Sequence, residues 1–138
     1  MGRALANAQD VVMQTRPTNV FIVDDSVSIR VRLAQMLGGL PGVNVVGEAG
    51  SASEAVAGIL RSHPDSVLLD LNLMGSTGLD VMRKVRPQAP DVAFVVLTNH
   101  YEPQYRDACF EAGARYFLDK SQDLHKVPGV IQEIGRKQ

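Results

Sequence analysis

Short apolar runs alternate along this chain with stretches in which apolar residues recur every three or four positions, and the cycle repeats five times. The runs are Val20-Phe21-Ile22-Val23, 43–49, Val67-Leu68-Leu69, 92–97 and 116–118. Their length and apolar character predict strands buried on both faces. Ile29, Leu33, Met36, Leu37 and Leu40 mark a first helix, with Arg30, Arg32 and Gln35 between them, stopped by Gly38-Gly39 and Pro41-Gly42. Ala52, Ala55, Val56, Ile59 and Leu60 mark a second, with Ser51 or Ser53 as its cap and Pro64 at its end. Leu79, Met82 and Val85 mark a third, closed by Pro87 and Pro90. Tyr105, Ala108, Cys109 and Ala112 give the inner stripe of a fourth, ending at Gly113. Leu124, Val127, Ile131 and Ile134 carry the last, where Pro128 fits only in a first turn.

Short strands separated by amphipathic helices predict a parallel sheet covered on both faces. Right-handed crossovers leave few topologies, and the commonest at this size is the doubly wound, flavodoxin-like (βα)5 fold with strand order 2-1-3-4-5. A chain of 138 residues suits one such domain. The boundaries expected are a flexible extension over 1–18 and a folded domain over 19–138. Ala4-Leu5-Ala6-Asn7-Ala8 resembles a cleavage site, but no apolar segment precedes it, so the extension is not read as a targeting signal.

Composition narrows the function classes. Lys and Arg total 14 against 15 Asp and Glu, a net charge of −1, without the basic excess of a dedicated nucleic-acid binder. No apolar run approaches the roughly 20 residues of a membrane span. A single cysteine, Cys109, cannot form an internal disulfide framework and suits a reducing compartment, so a cytoplasmic location is expected.

In sheets of this type ligands bind at the carboxyl ends of the strands. Asp24 and Asp25 follow the first strand, Asp70 the third, Thr98 the fourth and Lys120 the fifth. Each alone has an ordinary explanation as a cap, a turn residue or a snorkelling lysine. Together they bring three mutually repelling carboxylates, an ammonium and a hydroxyl to one edge. That set invites a hard divalent cation with a phosphoryl group to share.

Val23-Asp24-Asp25-Ser26, Leu68-Leu69-Asp70-Leu71-Asn72-Leu73, Leu97-Thr98 and Phe117-Leu118-Asp119-Lys120 resemble the receiver domain of bacterial response regulators. The resemblance runs from about Asn19 onward and includes Gly78 and Ala112-Gly113-Ala114. It implies a switch of a two-component system rather than an enzyme with a separate substrate. Asp70 would take phosphate from a histidine kinase or phosphotransfer protein, and Lys120 and Thr98 would bind it. Mg²⁺ (or Mn²⁺) would be held by Asp25, Asp70 and the Asn72 backbone carbonyl, with Asp24 acting largely through water. Thr98 and Phe117 would be the switch pair, and Asn72 and His100 would tune phosphoryl lifetime. The face built by the fourth helix, fifth strand and fifth helix would meet a downstream protein or a second copy, with Arg106, Phe110 and Phe117 on it.

The chain departs from that family at Met74, where proline is usual, which implies a more flexible loop, and at Ser121, which follows Lys120 where proline is frequent. A cis Lys120–Ser121 bond would cost roughly 2.5–4 kcal/mol, so trans is expected. His63 and His125 read as solvated surface residues and Cys109 as a buried small hydrophobe. An aspartyl-phosphate phosphatase would want an aspartate where Asn72 stands, and an electron carrier's FMN phosphate would be repelled by Asp24-Asp25. A degenerate receiver that only binds partners is argued against by the intact set of five. The remaining alternative is a receiver segment of a larger transcriptional regulator with a separate DNA-binding output domain.

Overall fold

The computed structural model describes residues 16–137, so residues 1–15 of the extension expected over 1–18 fall outside the described residues. Five strands form one parallel sheet: β1 (Thr18–Val23), β2 (Val43–Ala49), β3 (Ser66–Leu69), β4 (Ala93–Thr98) and β5 (Ala114–Asp119). Their order is β2-β1-β3-β4-β5, as the alternation predicts. The helices are α1 (Val27–Gly38), α2 (Ala52–Ser62), α3 (Gly78–Val85), α4 (Pro103–Ala112) and α5 (Val127–Arg136).

Side-chain alternation along each strand divides the core in two. Phe21, Val23, Val67, Leu69, Phe94 and Val96 pack under α2, α3 and α4 through Ala55, Ile59, Val81, Met82, Val85 and Cys109. Val20, Ile22, Leu68, Val95 and Leu97 pack under α1 and α5 through Leu33, Leu37, Val127, Ile131 and Ile134. Both faces are therefore covered, which is why the central strands need no polar face. Ser26, Ser51 and Thr77 cap α1, α2 and α3 by accepting from the backbone N–H groups of Ile29, Glu54 and Asp80.

Several expectations change in detail. The sheet begins at Thr18, one residue before the expected boundary, because Thr18 already pairs with Val43 and is buried. Just before it, Arg16 is 3.2 Å from Asp65. β4 runs one residue later than 92–97, so Thr98 belongs to the strand and is fully buried. Tyr105 does not join the inner stripe of α4. It lies in the first turn, exposed at 39%, with its ring 5.4 Å from that of His100. Leu124 lies in a 3-10 turn ahead of α5, and Pro128 falls in the helix's first turn. In place of the loose loop expected around Met74, Asn72–Leu73 pairs antiparallel with Ser76–Thr77, and Gly75 takes the positive φ of +82° that the tight reversal needs.

Candidate functional site

All five strand-end residues come to the carboxyl edge of the sheet. The β1 and β3 ladders extend one bond past the strands, with Asp24 N–H on Ala49 O (3.1 Å) and Asp70 N–H on Val23 O (3.0 Å). These bonds aim both carboxylates into one pocket. Asp24, Asp25 and Asp70 each offer an oxygen within 4.8 Å of the others. Asp24 and Asp70 are buried and Asp25 is exposed.

Lys120 neutralises two of the three. Its Nζ donates to Asp24 Oδ2 at 2.7 Å and to Asp70 Oδ2 at 2.8 Å, while its backbone N–H donates to Thr98 O at 2.8 Å. Burial works against the ammonium, but the bonds and charges of Asp24 and Asp70 outweigh it and hold the lysine above its ordinary pKa. The loop behind it is tightly bonded. Ser121 donates through N–H and Oγ to Asp119 Oδ1, and Asp119 N–H donates to Asp123 Oδ2. All peptide bonds among the described residues are trans, as expected for Lys120–Ser121.

The three carboxylates are not equivalent. Asp24 is fully committed, since its Oδ1 also accepts from Ser26 N–H at 2.9 Å. Asp70 Oδ1 accepts a long bond of 3.3 Å from Asn72 N–H. The Asp25 carboxylate has no hydrogen-bond partner among the described residues. Oxygen donors with a carboxylate to spare suit a small hard cation such as Mg²⁺, and Asp25 and Asp70 are the residues best placed to hold it.

Around this centre, Thr98 Oγ1 accepts from His100 N–H at 3.2 Å, which leaves its hydroxyl proton free to donate elsewhere. His100 Nε2 and Asn72 Nδ2 are joined by a short hydrogen bond that ties the loop after β3 to the loop after β4. Gly78 opens α3 against the site. A Cβ there would come 2.4 Å from Asp70 O, so glycine alone fits.

Phe117 is not on the surface. β5 alternation turns it inward beneath α4, buried, 5.1 Å from the Tyr101 ring and 6.5 Å from the Phe110 ring. Phe110 and Arg106 are exposed, with the Arg106 guanidinium 5.3 Å from the Phe110 centroid. His63 and His125 are exposed, and Cys109 is buried, its thiol pKa pushed up to about 11 by desolvation. Sequence reasoning missed Arg30. It was placed between the apolar positions of α1, yet its side chain turns back and donates to Asp24 O. Its spacing of six residues beyond Asp24 is the only signal that pointed there.

Comparison with known proteins agrees with this geometry. Residues 20–132 match the response regulator receiver domain, and the chain belongs to that family. The DNA-binding transcriptional activator DevR/DosR of Mycobacterium tuberculosis is 31% identical over 116 residues, covering 84% of this chain and 54% of the relative. Response regulator UvrY of Escherichia coli is 32% identical over 116 residues, covering 84% and 53%. The chain thus spans about half the length of the curated relatives it matches. A LuxR-family two-component response regulator from Aurantimonas superposes with a TM-score of 0.82 at 29% identity, covering 88% of this chain and 87% of that one. The signal receiver domain of the putative response regulator NarL from M. tuberculosis gives 0.82 at 26%, covering 89% and 99%. The fold is that of flavodoxin-like receivers, as expected.

Proposed function

We propose that this receiver is a phosphorylation-activated switch in which Asp70 accepts a phosphoryl group from a histidine kinase or phosphotransfer protein. The observation that carries the reading is the meeting of Asp24, Asp25 and Asp70 within 4.8 Å, with Lys120 bridging two of them. An Asp70 carboxylate oxygen attacks phosphorus and forms the P–O bond. The P–N bond to the donor histidine breaks, and its electron pair stays on the imidazole nitrogen. Asp25, Asp70 and the Asn72 carbonyl would hold Mg²⁺ (or Mn²⁺), which when bound neutralises charge on the phosphoryl oxygens. Lys120 binds another of those oxygens, and the Thr98 hydroxyl donates to a third.

Thr98 and Phe117 couple this event to the surface. Thr98 drawn toward phosphate shifts the loop carrying His100 and Tyr101, and Tyr101 packs on Phe117. The face built by α4, β5 and α5, with Phe110 and Arg106 exposed on it, then engages a downstream protein or a second copy. Asn72 and His100 set how long the acyl phosphate lasts. No separate substrate is turned over, and the switch works in the cytoplasm; among the described residues no helix is long and apolar enough to cross a membrane.

Incubation with a small phosphodonor and Mg²⁺, followed by intact mass, tests the reading. Wild type should gain one phosphoryl group and Asp70→Asn none; an equal adduct on the variant removes Asp70 as acceptor. The output is proposed to be transcriptional, because a matching relative is a DNA-binding transcriptional activator. Promoter occupancy that does not respond to Asp70→Asn would exclude it.

A further inference from the structure

We infer that Arg30 is the positioning residue of the acidic pocket: it fixes the turn that presents Asp25 and thereby sets divalent-cation affinity. The inference rests on the metal-assisted reading above. Asp24 stands where the β1 ladder ends, so its carbonyl has left the sheet without a strand partner. Arg30 reaches back from α1 and donates from Nη1 to that carbonyl, while its Nε lies 3.3 Å from Glu48 Oε1 on β2. One planar guanidinium therefore joins the end of β1, the edge strand and the first helix. Its side chain is only 18% exposed.

Every polar group of Asp24 is then engaged: N–H on Ala49, carbonyl on Arg30, Oδ1 on Ser26 and Oδ2 on Lys120. Asp25 comes next in the chain with no such partner among the described residues, so its carboxylate is placed through the held backbone of Asp24. Glu48 balances the Arg30 charge, and what Arg30 contributes to the pocket is geometry. Lysine cannot replace it, because one ammonium does not span a carbonyl and a carboxylate as a planar fork does. Gly50 leaves the room, since a Cβ there would stand 3.0 Å from Arg30 Nη1 and 3.7 Å from Asp24 O.

Mg²⁺ titration by calorimetry, with melting curves alongside, tests this on wild type, Arg30→Met, Arg30→Lys, Gly50→Ala and Asp25→Asn. The chain has no tryptophan to serve as an indole probe. Arg30→Met should weaken Mg²⁺ binding about tenfold or more, in the range for groups that orient metal ligands. Arg30→Lys should recover only part of the loss, and Gly50→Ala, which keeps the guanidinium but displaces it, should move the same way. A merely structural arginine would lower the melting temperature and leave the affinity of the folded protein unchanged. Wild-type affinity in both Arg30→Met and Gly50→Ala, with Asp25→Asn weakened, overturns the inference and leaves the metal reading standing. Wild-type affinity in Asp25→Asn, or no Mg²⁺ binding by wild type, overturns both. Should Arg30→Met not fold, Gly50→Ala decides.

Discussion

Lys120 Nζ lies 2.8 Å from Asp70 Oδ2 although β4 runs between the strands that carry them. The lysine reaches over the end of β4, whose last residue, Thr98, accepts the Lys120 backbone N–H. The Asp70 carboxylate, the Lys120 ammonium and the Thr98 hydroxyl are thus held in one register by the sheet. Among the described residues, Lys120 is the cation paired with the buried carboxylates of Asp24 and Asp70.

Lys120→Met should therefore destabilise the fold by about 3 kcal/mol, the low end for leaving buried charges unpaired. The pH dependence follows from the raised lysine pKa. A cation favoured by folding contributes fully below the ordinary value of 10.5 and loses that contribution as pH rises through the higher folded value. Urea midpoints of wild type and variant should differ by a constant amount between neutral pH and about pH 10 and converge above it. A gap that persists or widens in alkali contradicts the pairing.

Gly78→Ala places a methyl group 2.4 Å from the Asp70 carbonyl oxygen, a backbone atom that cannot swing aside. The expected cost is about 1–3 kcal/mol, as for overpacking, and under the proposed function phosphorylation should slow because the Asp70 backbone must shift. Gly129→Ala, with nothing within 4 Å of the added carbon, should cost nothing and gain up to about 1 kcal/mol of helix propensity. Chemical denaturation of the pair separates the two glycines; equal effects would refute the close-approach account.

What could be read from sequence alone was the part that periodicity and strand-end position encode. Five strands, their order and the residues Asp24, Asp25, Asp70, Thr98 and Lys120 follow from apolar runs and what comes directly after them. Less legible was whatever depends on where along an element a residue sits and how far its side chain reaches. Tyr105 shares a helical face with Cys109, but its place in the first turn of α4 puts it beyond the sheet, against His100. The family resemblance puts Phe117 on the output face, whereas strand alternation turns it under α4. Arg30 was hidden for a related reason. A helical wheel shows which face a residue occupies, not that a long side chain reaches back to the strand before it.

His100→Ala removes the Nε2 partner of Asn72 and frees the loop after β3 from the loop after β4. Water should then reach the acyl phosphate more easily. A hydrogen bond worth about 1 kcal/mol corresponds to roughly fivefold in rate, so dephosphorylation should be faster by about that factor. Decay of phosphorylated protein after removal of the donor measures it, and an unchanged half-life would take His100 out of the account.

Phe110 and Phe94 offer the sharpest contrast between surface and core. Phe94 is buried between β3 and β5 at 1% exposure, and its truncation to alanine should cost about 3–5 kcal/mol. Phe110 is 40% exposed on α4, with Arg106 over its ring and Phe117 beneath it at 6.5 Å. Phe110→Ala therefore loses only part of an aromatic contact, worth about 0.5–1.5 kcal/mol. Under the proposed switch Asp70 lies far from this face, so its phosphorylation should proceed as in wild type. Association that depends on phosphorylation should weaken, because the ring removed is the exposed one above Phe117. Sedimentation of phosphorylated and unphosphorylated protein, alone and with a candidate target, reads this directly. A stability loss as large as that of Phe94→Ala would make Phe110 a core residue, and unchanged association in every pairing would remove it from the output face.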